Sequence, residues 1–228
     1  MESQFERTQM LLGEKALETL AHCHIAIFGV GGVGGYVAEA LARSGVGKFD
    51  LIDSDTVSLT NLNRQIIALH STIGKYKVDV MKKRICDINP DAQVNTFRCF
   101  YLPETKDQFD FSKYDYVVDA VDTVAAKLQL IEQAKESGVP IICCMGAGNK
   151  LDPMSFRVAD ISQTSVCPLA RVMRRECKAR NLTDVKVVFS TEPPVPEAKG
   201  QQVPGSTAFV PSAAGLLLAS EVIRDLTR

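Results

Sequence analysis

Ile25-Ala26-Ile27-Phe28-Gly29-Val30-Gly31-Gly32-Val33-Gly34 is the stretch that decides the fold. A short apolar run of strand formers breaks straight into glycines, which reads as a strand ending in a loop that receives a phosphate. Glycine removes the Cβ that would hold an anion away from the backbone N–H groups, and the following helix aims its positive end at the same spot. That helix is expected from Val33 to Arg43, with Val37, Ala40 and Leu41 facing a sheet and Gly45 as its stop. Phe49-Asp50-Leu51-Ile52 reads as the second strand. It delivers Asp53 about 20 residues after the glycines, where a carboxylate commonly meets ribose hydroxyls.

This fingerprint alone specifies a nucleotide or dinucleotide. The polar turn beyond Asp53-Ser54-Asp55 narrows the choice, because it carries Asn61-Leu62-Asn63-Arg64-Gln65 and then Gly74-Lys75-Tyr76-Lys77. A pyrophosphate bridge held by backbone amides needs few added cations. A triphosphate that must lose pyrophosphate benefits from Arg and Lys placed on the developing charge, so the pattern favours ATP over NAD.

Outward from this core, strand and helix patterns alternate. Residues 1–22 read as a helical arm with Phe5, Leu11, Leu12, Ala16, Leu17 and Leu20 on its apolar face. Helical spacing is expected over Ser71–Asp91, a strand over Val94–Phe100, a strand at Tyr116-Val117-Val118, a helix over Thr123–Glu136 and a buried strand at Pro140–Cys144. This alternation predicts an α/β fold, a doubly wound, mainly parallel Rossmann-like sheet with right-handed crossovers. Ligands of such sheets bind outside the carboxyl ends of the strands, where Gly29–Gly34, Asp53, Asp122 and Gly146 all fall. Of the two acids Asp119 and Asp122, either is able to cap the following helix.

From Asp152 onward the pattern loosens. Phe156-Arg157-Val158 reads as a strand, and Cys167–Arg180 as a basic helix with Arg171, Arg174, Arg175 and Lys178 on one face. Those cations suit either a solvated surface or a groove for nucleic-acid phosphates. Val185–Phe189 is a late strand, and Ser190, Thr191 and Glu192 at its end are candidate substrate contacts or a turn. Residues 193–207, rich in Pro, Gly and Gln, are expected to form a loop able to close over a substrate. Ser212–Leu226 is the last helix. The expected organisation is one domain: an arm (1–22), a nucleotide-binding core (23–150) and a substrate-side extension (151–228).

Composition excludes several classes. With 26 Lys plus Arg against 27 Asp plus Glu, no global field attracts nucleic acid, so any RNA partner needs a local basic patch. Seven cysteines at irregular spacing, without a signal-peptide pattern, point to a reducing cytoplasmic setting. The apolar run Ala213–Ala219 is too short to span a bilayer. Three histidines, none beside a plausible nucleophile, give a Ser-His or Cys-His hydrolase little support.

The same residues resemble the adenylating superfamily of ubiquitin-activating-type enzymes. The resemblance rests on Gly29–Gly34, Leu51–Asp55, Asn61–Gln65, Gly74 with Lys77, Ile88-Asn89-Pro90 and Val118–Asp122. Within it, Arg7-Thr8, Leu11-Leu12-Gly13, Gly146-Ala147-Gly148, Asp152-Pro153, Pro168–Arg171 and Phe189–Glu192 are most similar to the bacterial tRNA threonylcarbamoyladenosine dehydratases. The resemblance implies ATP held by Gly29, Gly31, Gly32, Gly34, Asp53, Asp55, Asn61, Arg64, Lys77 and Asp122. It makes Asp122 a contact of nucleotide and Mg2+, leaves Asp119 structural, and makes Arg7 a candidate finger reaching a partner subunit. It also implies a tRNA substrate and a homodimer, and raises a monovalent cation and a sulfur-relay protein as expectations.

Three functions follow as alternatives: ATP-dependent cyclisation of the modified base through an acyl adenylate, adenylation of a ubiquitin-like sulfur carrier, or a non-catalytic nucleotide-binding scaffold or NAD-binding protein. The second class often carries two C-x-x-C pairs. Here Cys143 and Cys144 are adjacent, Cys167 and Cys177 lie ten apart, and no cysteine falls between Glu192 and Ala213.

Overall fold

All five residues of β1 (His24–Phe28) are buried, as expected of an unbroken apolar strand covered on both faces. The computed structural model describes residues 3–195 and 203–228. After the glycine loop, α3 (Gly34–Arg43) leads to β2 (Lys48–Ile52). Then come α4 (Lys77–Ile88), β3 (Gln93–Phe97), β4 (Tyr116–Asp119), α5 (Val124–Ser137) and β5 (Ile141–Cys144). The later elements are β6 (Phe156–Asp160), α6 (Pro168–Ala179), β7 (Lys186–Ser190) and α7 (Phe209–Leu226).

The strands form one sheet in the order β3-β2-β1-β4-β5-β7-β6. Every pairing is parallel except β6 against β7. The order reverses between β1 and β4, so the carboxyl ends of those strands flank a crevice. Ile25, Ile27, Leu51 and Val118 pack into a core with α3, α4 and α7, whereas Ala26, Phe28, Ile52 and Val117 face α5 and α6. Helices on both faces make the sheet doubly wound, as its alternating sequence predicts.

Besides a last helix that starts at Phe209 and a β6 that runs on to Asp160, three elements differ from the sequence reading. The arm is two helices, α1 (Glu6–Leu12) and α2 (Glu14–His22), divided at Gly13 with φ +86°. Its single apolar face is therefore split: Ala16 and Leu20 are buried, while Leu11 is 88% exposed. The helix expected over Ser71–Asp91 begins only at Lys77. Gly74 has φ +83°, its N–H donates to Val57 O, and Thr56 bridges Tyr76, so the chain before Lys77 is held as a turn. The third strand stops at Phe97, freeing residues 98–102 to cross the end of the sheet. Of the loop expected at 193–207, residues 196–202 lie outside the described residues.

α7 joins the last part of the chain to the first. It packs on α3, where a Cβ on Gly215 would come within 2.5 Å of Val33 O.

Candidate active site

The glycines of the loop divide into two pairs. A Cβ on Gly34 would lie 1.8 Å from Gly29 O, and one on Gly29 would lie 2.7 Å from Ala120 O, so those two let backbone meet backbone. A Cβ on Gly31 would meet nothing closer than the Gln65 amide at 3.8 Å, and one on Gly32 nothing closer than Pro211 at 3.4 Å. These two open the loop to the adjoining cavity, which has a volume of about 450 Å³, within the range of small-molecule sites. Val33, immediately before α3, lies on the same wall, so the helix dipole points into the cavity.

Asp53 is held where its spacing predicts, at the end of β2. Its Oδ2 accepts from Val30 N–H at 2.7 Å and its Oδ1 from Asp55 N–H at 2.9 Å, so the carboxylate also shapes the loop. Lys77 opens α4 with its ammonium almost fully buried, 2.7 Å from Asp55 Oδ2 and 4.0 Å from Asp53 Oδ2. Arg64 donates through one Nη to Thr60 O at 2.8 Å and to Asn63 Oδ1 at 2.9 Å. Asn61 is buried, and its Oδ1 accepts from Ser58 N–H at 3.1 Å, so it caps the turn that presents Arg64. Gly29, Gly31, Gly32, Asp53, Asp55, Asn61, Arg64, Lys77 and Asp122 all line this cavity. Gly34 lies behind it, locking the loop.

The two acids after β4 separate cleanly. Asp119 is wholly buried, 2.9 Å from the equally buried Lys127 ammonium, and it accepts from Val121 N–H at 3.1 Å. Lys127 also donates to Cys144 O at 2.6 Å, joining the ends of β4 and β5. Burial pulls the Lys127 pKa down, but the charge of Asp119, the hydrogen bond to it and the neighbouring Cys143 and Cys144 together offset this and hold it above the usual lysine value. Asp122, in contrast, is exposed on the cavity wall with Thr123 Oγ1 3.3 Å from its Oδ1.

Several other candidates are placed elsewhere. Ser190, Thr191 and Glu192 do not line the cavity: they tie β7 to the turn before β6. Ser190 Oγ accepts from Glu192 N–H, Thr191 N–H donates to Ser155 O, and the Glu192 carboxylate accepts from the N–H groups of Leu151 and Asp152. Arg7 lies on α1 in a separate groove against α7. On α6, Arg171, Arg175 and Lys178 are exposed, Arg175 pairs with Glu176 at 2.8 Å, and Arg174 folds back onto Thr164 O at 2.7 Å. The face of four cations is thus smaller than its spacing suggests.

The wall also holds Cys99–Leu102, to which the sequence reading assigned no role, Ser54 and Gln65, which it placed only within motifs, and Val203, Pro204 and Ser206 of the loop expected to close over a substrate. Ser54 Oγ and Gln65 Oε1 are buried there without a hydrogen-bond partner among the described residues, as polar groups awaiting a polar ligand would be. Phe100 is 65% exposed at the rim, an apolar face for a planar base. Burial raises the Cys99 thiol above its ordinary pKa, which disfavours the nucleophilic thiolate. Glycine loop, helix dipole, ribose-height carboxylate and paired cations together fit a nucleoside triphosphate.

Comparison with known proteins agrees with that geometry. The chain is 44% identical to the tRNA threonylcarbamoyladenosine dehydratase of Bacillus subtilis (strain 168), over 99% of this chain and 95% of that one. It is 41% identical to the Escherichia coli (strain K12) protein of the same name, over 82% and 73%. The solved structure of the E. coli tRNA N6-threonylcarbamoyladenosine dehydratase, TcdA, in complex with ATP superposes with a TM-score of 0.91 at 37% identity, covering 98% of this chain and 93% of that chain. The ThiF family model matches residues 5–228, and a chain matched over that length, with relatives this similar along nearly all of it, belongs to the ThiF family.

Proposed function

We propose that this protein is an ATP-dependent carboxylate-adenylating enzyme that dehydrates threonylcarbamoyladenosine in tRNA. The carboxylate of the threonylcarbamoyl group attacks the α-phosphorus of ATP and expels pyrophosphate, leaving an acyl adenylate. The carbamoyl oxygen of the same side chain then attacks the activated carbonyl, AMP departs with the electron pair, a carbamoyl N–H proton is lost to solvent, and a cyclic oxazolone-type base results. Because the second nucleophile is tethered, effective molarity replaces a catalytic thiol. The observation that carries this reading is the gathering of Arg64 and Lys77 beside the glycine loop in one cavity, where Cys99, the one cysteine on its wall among the described residues, is shifted away from the thiolate.

In this reading Asp53 holds ribose, Gly31 and Gly32 admit the phosphates, and Arg64 and Lys77 neutralise the leaving pyrophosphate. Asp55 and Asn61 hold Lys77 and Arg64 in place. Asp122 is the residue that would hold Mg2+, which supplies further neutralisation at the phosphates when bound. Residues 23–150 form the nucleotide core and residues 151–228 the substrate-side extension. α6 begins beside Gly146, so Arg171, Arg175 and Lys178 are offered to tRNA phosphates at its edge.

Residues 1–22 serve as the arm of a homodimer. Met10 and Leu11 are 74% and 88% exposed on α1, and Arg7 lies outside the cavity of its own chain, which suits a finger supplied to a second subunit. Dependence on a monovalent cation and docking of a sulfur-relay protein are carried by the resemblance alone. No helix among the described residues is long and apolar enough to cross a membrane.

The test supplies purified protein with ATP and tRNA bearing threonylcarbamoyladenosine, then digests the tRNA and weighs its nucleosides by mass spectrometry. Loss of one water from that nucleoside, dependent on ATP and absent with Arg64→Ala, is expected. An unchanged nucleoside, with pyrophosphate released on adding a ubiquitin-like protein ending in Gly-Gly, would transfer the activity to carrier adenylation.

A further inference from the structure

Asn149, five residues past the end of β5, bonds to both Val195 and Gly205, and Val203, Pro204 and Ser206 beside the latter line the cavity. Asn149 sits at φ +58°, a left-handed conformation that asparagine tolerates better than most side chains. Its N–H donates to Gly205 O at 2.8 Å, and its side-chain Oδ1 accepts from Gly205 N–H at 2.6 Å. Its own carbonyl accepts from Val195 N–H at 2.9 Å. Next to it, a Cβ on Gly148 would come within 2.7 Å of Pro204 Cβ, so the Gly148 backbone packs directly against the Pro204 ring. Pro204 and Ser206 line the cavity, and Ser206 O accepts from Asn63 Nδ2 at 2.9 Å, one residue from Arg64. The Pro204–Ser206 segment is therefore tied to the turn that presents Arg64.

We propose that Asn149 is a positioning residue that seats the Pro204–Ser206 segment over the acyl adenylate, deciding how much of it cyclises and how much is hydrolysed. This rests on the proposed dehydratase reading. In the hydrolytic branch, water adds to the acyl carbon, the bond from that carbon to the AMP oxygen breaks, and AMP leaves with the electron pair. Both protons of the water are released as the carboxylate is regenerated, so ATP becomes AMP and pyrophosphate while the tRNA is unchanged. A seated cover keeps water from that carbon without touching the reacting atoms.

Three variants separate the parts of the seat. Asn149→Asp keeps an acceptor oxygen and the left-handed backbone, Asn149→Gly keeps only the backbone, and Asn149→Ala disfavours both. The measurement is the ratio of AMP formed to dehydrated nucleoside formed, with amide exchange at Gly205 in the presence of ATP as a second readout. In Asn149→Gly the ratio is expected to rise about two- to tenfold, the factor that one net hydrogen bond supplies. Asn149→Ala should rise further, Asn149→Asp should stay near wild type, and Gly205 exchange should quicken in the same order. If wild type dehydrates the nucleoside while Asn149→Gly, still folded, keeps both the ratio and the exchange rate, the role of Asn149 is overturned. If wild type gives no dehydrated nucleoside, the dehydratase reading and the partition role both fall. Gly205 exchange then still judges the seat, and an unchanged rate overturns that too.

Discussion

Two lysine–aspartate pairs stand at strand carboxyl ends, Asp119 with Lys127 at β4 and Asp55 with Lys77 just past β2, and their settings differ in one respect. Lys127 and Asp119 are both wholly enclosed, whereas Lys77 is buried against an Asp55 side chain that is 54% exposed at the cavity. The enclosed pair has nowhere to send either charge, so it fixes the junction of β4, β5 and α5. In the proposed reading the open pair exchanges its carboxylate for a ligand's phosphate, because Asp55 has access to water. The difference lies less in the residues than in whether one partner retains access to solvent.

The sharpest way to break this contrast is Lys127→Met. It strands Asp119 as a buried unpaired charge and should cost about 3–5 kcal/mol of stability, read by urea unfolding. A cost below about 1 kcal/mol would mean that the enclosed pair is as replaceable as the open one. Lys77→Met and Arg64→Ala should behave in the opposite way, leaving unfolding within about 1 kcal/mol of wild type. Pyrophosphate release should fall by about 10²–10³-fold in each, the usual effect of losing one donor to developing charge. Normal turnover in either would remove that residue from the proposed machinery.

Glu192→Ala tests a third carboxylate, partly exposed and bonded only to backbone N–H groups. It should lose about 1 kcal/mol of stability with turnover per folded molecule unchanged. A tenfold loss of turnover at equal stability would make Glu192 a substrate contact instead. The mildest effect concerns Asp50. Burial would raise its pKa, but hydrogen bonds from His24, Asn95 and Tyr114 hold it below the usual carboxylate value. A depressed folded pKa contributes stability that is fully present above the unfolded value of about 3.9 and is lost as pH falls through the folded one. Asp50→Asn should therefore flatten the acid limb of the stability profile and leave the neutral region's slope alone.

What the sequence made legible follows the range of the contacts. The glycine loop, Asp53, Arg64 and Lys77 belong to one stretch whose strand, turn and helix signals are local, and all reach the cavity wall. Asp119 and Asp122 could not be ranked by spacing, since both follow a strand and precede a helix; only the enclosure of Lys127 separates them. Glu192 at the end of β7 reads equally as a substrate contact or a turn, and its partners at Leu151 and Asp152 are about 40 residues away. The Asn149–Gly205 contact joins positions 56 apart, with no periodic pattern to announce it. Apolar periodicity reports which face is buried, not which loop lies over which strand end.

The pairing of β1 with β4 sets a schedule for synthesis. Ile25 lies beside Tyr116, so a nascent chain stopped before Tyr116 already carries the glycine loop, Asp53 and Lys77 but leaves one flank of β1 bare. Gly32 waits longer still for Pro211, its nearest neighbour across the cavity wall. The nucleotide motif thus leaves the ribosome early while its binding site closes late, and ATP cannot act as a template for the first half of the fold. Nucleotide added during refolding should slow unfolding of the finished protein without hastening its earliest folding phase.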